Sequence, residues 1–188
     1  MDFRRIVNFR MVKQEASLLY KSLTPLLQFD PQFADLVLAD LAKIVQICGR
    51  ANGEISSEEL LAYFVIYALI KQDKDKLNAA LNIWEFSEEE RSKYEKVTLQ
   101  ILLQFNQNGQ SAAPLVLPSL LNKLDEDKGS HYLTDAVNAI YKFAQVIVKA
   151  DGVVSMQEME ALSSVWQMLH AYQPIDHYQT SLTAATTQ

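Results

Sequence analysis

A single cysteine, Cys48, in 188 residues rules out an internal disulfide, and with no second cysteine or nearby histidine it builds no sulfur-based metal or redox motif. Such a thiol suits a reducing cytoplasm and is expected to be buried. Glycine and proline are scarce, at five each. No glycine-rich phosphate loop is among them, and the composition is that of a soluble, mainly helical protein. Long apolar runs are missing too: the longest, residues 60 to 70, is too short to cross a bilayer and reads as a core helix. Residues 1 to 30 hold no continuous apolar segment ending in a small-residue cleavage site, so no signal peptide is expected. Positive charge is in deficit. Seventeen Lys and Arg against 23 Asp and Glu leave a net charge of −6, which repels phosphates and excludes nucleic acid as a partner. The three histidines, His131, His170 and His177, show no HExxH or transition-metal spacing. No nucleophile elbow or Ser/His/Asp ordering occurs either, so no catalytic residue is assigned and the chain is expected not to be an enzyme.

What is present is helical periodicity from end to end. Residues 2 to 23 predict a helix with a poorly segregated apolar face, broken at Pro25. Arg10 falls inside its apolar arc, which argues against a membrane-surface helix. Asp30 as N-cap with Pro31 at the first helical position opens a second helix running to about Arg50. Its buried face is Phe33, Leu36, Val37, Leu41, Ile44, Val45 and Cys48, with Asp40 on the same side as a hydrogen-bonded or rim acid. Residues 58 to 70 are apolar all round and predict a central helix. Beyond a charged joint, Leu77, Leu81 and Trp84 mark a short helix. Ser87 with Glu90 then caps a helix bearing Tyr94, Val97, Ile101, Leu102 and Phe105. Residues 106 to 113 form the main internal loop, followed by a short helix at 118 to 124. From Tyr132 to Lys149 the positions Ala136, Ile140, Phe143, Ala144 and Ile147 line one face, and the last helix, 155 to 172, is expected to turn Met159, Leu162, Val165, Trp166 and Leu169 inward. Residues 173 to 188 read as a flexible tail or linker.

The organising feature is a repeat. At an offset of 99, Lys43, Gln46, Ala51, Gly53, Ser56, Glu59 and Ala62 recur as Lys142, Gln145, Ala150, Gly152, Ser155, Glu158 and Ala161. Each copy is a helix-corner-helix: Gly suits positive φ where the first helix stops, and Ser-x-x-Glu is the reciprocal capping box that starts the second. The predicted fold is all-α, a compact bundle of about eight helices with two hairpins, residues 30 to 70 and 132 to 169, related by a pseudo-twofold, in one domain spanning 1 to 172 with 1 to 29 as an N-terminal extension.

The doubled (A)-(D/N)-G-x-(I/V)-S-x-x-E corner, residues 51 to 59 and 150 to 158, resembles the TerB-like family, named for a bacterial tellurite-resistance protein. The resemblance covers roughly residues 30 to 172, with Asn52 where the family has Asp. It implies an all-helical fold, a bacterial cytoplasmic setting, and a role in metal-linked stress response or protein interaction without an established enzyme activity. The corner also matches half of an EF-hand loop, with Asn52 or Asp151 at position 5, Gly at 6 and Glu at 12. Positions 1 and 3 fail, being Cys48 and Arg50 in one copy, Ile147 and Lys149 in the other.

Two functions are therefore expected. The first is a non-catalytic interaction or scaffolding module, with a protein partner or self-association, through a groove between the hairpins or through Phe3, Ile6, Phe9 and Met11 of the first helix. The alternative is a divalent cation, calcium, magnesium or zinc, held by Asp151 and Glu158 with Asn52 and Glu59. In the rival account of those residues, Glu59 and Glu158 serve only as caps.

Overall fold

The computed structural model describes residues 3–51, 53–107, 115–150 and 154–171, with the backbone alone over 3–8 and 106–107. Among them are eight α-helices and no strand: α1 (Phe3–Phe29), α2 (Phe33–Gly49), α3 (Ser57–Lys71), α4 (Lys74–Asn82), α5 (Glu88–Gln107), α6 (Leu117–Lys128), α7 (Tyr132–Val148) and α8 (Met156–His170), with one 3-10 turn (Ile83–Glu85) after α4. The expected all-α bundle is what forms. The repeat is carried into the elements themselves, because α2 and α7, and likewise α3 and α8, begin and end at positions 99 apart.

The hairpins interlock reciprocally. α2 packs on α7, and each also reaches the second helix of the other hairpin, α2 touching α8 and α7 touching α3. The buried face of α7 is the expected one, Ala136, Ile140, Phe143, Ala144 and Ile147. α3 is central because it offers no polar stripe: it is buried continuously from Glu59 to Ile66, and α1, α2, α4, α5 and α7 all lie against it. Its Tyr63 is fully buried and stays satisfied by donating its hydroxyl to the Leu38 carbonyl at 2.9 Å.

Two expectations are corrected in the first third of the chain. Pro25 does not end α1, which continues to Phe29. A mid-helix proline costs about 3 kcal/mol through its missing N–H and its clash with the preceding turn. Here Leu19, Leu23 and Leu26, on both sides of it, are all buried, and burying each such side chain contributes about 1.5–3 kcal/mol. α1 makes its most extensive contact with α7, so a break at 25 would strip that interface. The second correction is smaller. α2 begins at Phe33 rather than at Pro31, after a turn in which Asp30 Oδ1 accepts from Gln32 N at 2.8 Å and Asp30 O from Phe33 N at 3.0 Å.

α6 and α7 are joined by a device that local pattern does not announce. Asp125, near the end of α6, accepts from Ser130 Oγ, Tyr132 N and Leu133 N at 2.7–2.8 Å. It supplies the N-terminal cap that His131, at the cap position, does not. Gly129 turns the chain between them at φ +62. The expected tail, 173 to 188, and the loop at 108 to 113 lie outside the described residues.

Candidate functional site

The two corners are capped alike. In the first, Ser56 Oγ accepts from Glu59 N at 3.2 Å and Glu59 Oε2 accepts from Ser56 N at 2.7 Å; in the second, Ser155 and Glu158 repeat this at 3.2 and 2.6 Å. Arg50 and Lys149 close the preceding helices with nearly identical backbone angles. Gly53 has φ +115, the left-handed conformation its corner requires. These boxes differ from the one at Ser87 and Glu90, which is exposed to solvent. Glu59 and Glu158 are only 2% and 1% exposed.

Both buried carboxylates act on one place, the C-terminal end of α2. Burial, then Glu59, then Glu158 push the Cys48 thiol up to about 12. A Cβ on Gly49 would stand 3.1 Å from Glu59 Oε2, so the absence of a side chain there is what lets that carboxylate lie against the helix. Cys48 is thus a protonated, buried thiol, unsuited to nucleophilic work. Of the four residues expected to form a cation site, Glu59 and Glu158 are brought toward the same thiol and serve as caps, while Asn52 and Asp151 lie outside the described residues. No group of three His, Cys, Asp or Glu among the described residues is arranged to hold a metal ion.

Asp40 stands on the buried face of α2, as its spacing predicts, and is hydrogen-bonded. Its Oδ2 accepts from Leu117 N at 2.6 Å. It is therefore a cap supplied in trans to α6, whose own first residues give no side-chain acceptor. Burial raises its pKa from the ordinary 3.8 to about 6, with the Leu117 and Val116 amides and then Lys43 pulling the other way. Gln46 makes a second long-range tie, donating to Leu102 O of α5 at 3.3 Å.

The surface holds the largest departure from expectation. Val165 and Leu169 of α8 are buried, but Met159 is 54% and Trp166 41% exposed, with Met156 at 69%. In the repeat Met159 answers to Leu60, which is 8% exposed. Trp166 is propped rather than covered, by Tyr141 edge-on at 4.9 Å and by His170 tilted against it. His131 is exposed at the start of α7. On α1, Phe9 packs tilted against Trp84 at 4.7 Å and Val12 is buried, so this part of the N-terminal helix belongs to the domain, while Met11 is at the edge of exposure and the side chains of Phe3 and Ile6 lie outside the described set.

No helix among the described residues is long and apolar enough to cross a membrane. No family model, curated protein or solved structure matches the chain.

Proposed function

We propose that the chain is a non-catalytic protein-interaction module whose partner surface is the outer face of α8. The observation that carries this is the bare apolar stripe of Met156, Met159 and Trp166 on a helix whose counterpart, α3, is buried almost throughout. A rigid aromatic side chain beside flexible thioethers, rimmed by Gln157, Glu160, Ser163 and Gln167, has the composition of a helix-docking patch. The doubled corner supports a TerB-like reading, in which the module is part of a larger bacterial stress-response protein working in the cytoplasm, and the interlocked hairpins supply the rigid platform.

The test replaces Met156 and Met159 together by glutamate. Because both side chains are exposed, stability should change by no more than about 0.5 kcal/mol. A photo-cross-linker at position 163, between the two ends of the stripe, should capture a partner protein or a second copy in the parent chain and lose it in the double variant. A cross-link that persists in the variant sinks this surface.

The alternative reading is a divalent cation bound between the corners. What favours it is that the two copies bring their buried carboxylates, Glu59 and Glu158, toward the same residue, Cys48. Asp151 and Asn52 lie within the same corners in sequence, and with them the cation would have a set of hard oxygen donors. A cation that binds the native chain raises its melting temperature, by an amount set by its concentration over Kd. Millimolar calcium, magnesium or zinc should then shift the melt upward and a chelator reverse it; identical melts in all four conditions end this reading.

A further inference from the structure

The bare stripe of α8 has a shape that the repeat explains. At the offset of 99, Ser57, Leu60, Phe64 and Tyr67 of α3 become Met156, Met159, Ser163 and Trp166 of α8. In the first half this face is covered by a helix: Phe64 is fully buried, with its ring 5.0 Å from that of Tyr94 on α5. In the second half a serine replaces the large central side chain, and Met156, Met159, Ser163 and Trp166 are all exposed. Successive residues stand about 100° apart around a helix, which sets Ser163 between Met156 and Met159 in direction. Along the axis it falls between Met159 and Trp166. The face is therefore a notch over Ser163 with a thioether on one side and an indole on the other. Charge is nearly absent from it. Glu160 is the one exposed carboxylate of α8, and the helix has no Lys or Arg, in a chain of net charge −6.

On the reading that α8 is the partner surface, we infer that its occupant is the α8 of a second copy, running antiparallel and related to the first by a twofold axis at Ser163. That arrangement makes the face complementary to itself. An antiparallel pair brings like flanks of two helices together, so Met159 of each copy meets Trp166 of the other, a favourable contact of sulfur with an aromatic ring. The small Ser163 lets the two backbones approach at the crossing. Glu160 then lies beside Gln167 of the other copy, and the two Glu160 side chains are about 9 Å apart along the axis, a full Debye length. A parallel pair in register would instead set Glu160 against Glu160. The scarcity of charge also selects this face, because two chains of the same net sign repel through most of their surface. A twofold contact closes on itself and stops at a dimer. One helix pair buries less than the roughly 1,200 Å² of a standard interface, so the association is weak, with a Kd on the order of 0.1 mM. At micromolar protein the chain is then a monomer, and dilution in that range leaves its melt alone.

Ser163→Cys tests the axis directly. Helix axes 8–10 Å apart bring facing Cα atoms at the crossing to about 4–6 Å, within the span of a disulfide. Native Cys48 is fully buried and gives no background. With oxidised glutathione as oxidant, the Ser163→Cys chain at about 0.1 mM is expected to form covalent dimer at least about tenfold faster than Ser17→Cys, an exposed serine on α1. Adding Met159→Glu, which sets a carboxylate against the indole, should remove that advantage without changing the melt, and sedimentation of the parent chain should show reversible dimer as concentration rises through 0.1 mM. Equal rates at positions 163 and 17, or a rate untouched by Met159→Glu, mean random collision and overturn the dimer. A parent chain that stays monomeric to about 1 mM overturns it too. In that event a photo-cross-linker at 163 that captures residues 172–188 or another protein keeps α8 as the partner surface with a different occupant, whereas no capture at all removes the surface as well.

Discussion

Glu158→Ala is expected to lower the unfolding free energy by about 2–3 kcal/mol, and Glu59→Ala by a similar amount. A hydrogen bond to a charged acceptor contributes about 1.5–3 kcal/mol, and truncating its partner leaves the half-buried Ser155 or Ser56 N–H without its acceptor. Because the carboxylates are 1% and 2% exposed, water cannot take their place. Loss of an exposed cap is cheaper, about 1 kcal/mol, so Glu90→Ala at the head of α5 is the internal control. Urea denaturation gives the free energies, and Cys48 gives an independent reading. Its thiol is fully buried and held protonated, so a disulfide reagent attacks only opened molecules. The same loss of stability should speed labelling by about 30- to 150-fold. If the alanine variants are instead more stable than the parent in metal-free buffer, the two carboxylates repel one another in the native state, which is what unfilled cation ligands do.

The second large effect depends on pH and belongs to Asp40. A carboxyl that titrates at about 6 when folded but at 3.8 when exposed binds its proton more tightly in the native chain. Between those values stability falls as pH rises, because ionising the buried group costs more than ionising it in the unfolded chain. The contribution is fully present well below pH 3.8 and is lost above pH 6, a difference of about 3 kcal/mol. Asp40→Asn cannot ionise and keeps an oxygen for the Leu117 amide. The parent-minus-variant difference in unfolding free energy should therefore grow by about 2.5 kcal/mol as pH drops from 7 to 4, while other carboxylates cancel in the subtraction. A difference that is flat across that window means Asp40 is already charged or already wet.

Features that proved legible in the sequence are those whose partners lie within one or two helical turns. The capping boxes at Ser56, Ser87 and Ser155, the Gly53 turn, the buried face of α7 and that of α2 from Val37 onward follow from spacing alone, whereas Leu36, expected on the same face, is 37% exposed. What escaped is held by distant or crowded partners. Asp40 caps a helix that begins 77 positions later. Asp125 reaches over a turn to amides seven and eight residues on, which no short motif encodes. Pro25 is overruled by leucines that spacing identifies but whose contact with α7 it does not. The outward face of α8 escaped for a geometric reason. Glu158, Ala161, Val165 and Leu169 share one buried line, and Met159 and Trp166 stand about 90° around the helix from it at 3.6 residues per turn. Apolar character says that such residues can be buried, not that anything in the chain covers them. Of the four residues expected to hold a cation, Glu59 and Glu158 were legible only through their spacing as caps, and both raise the pKa of the Cys48 thiol.

The constant offset of 99 residues between α2 and α7 and between α3 and α8 places two hairpins of equal length against one another on a single polypeptide. Two separate hairpins would meet only above some concentration of protein, whereas a tether holds them at an effective concentration of about a millimolar or more. Assembly is then unimolecular, and the melting temperature should not move with dilution. Covalent closure also lifts the constraint that a true two-fold imposes, in which every substitution is made twice. Gly49 faces Glu59 in one half where the matching place in the other holds Val148, and Leu60 is sealed where Met159 is bare. One half is thereby free to specialise as core while the other keeps a face to spend on a neighbour.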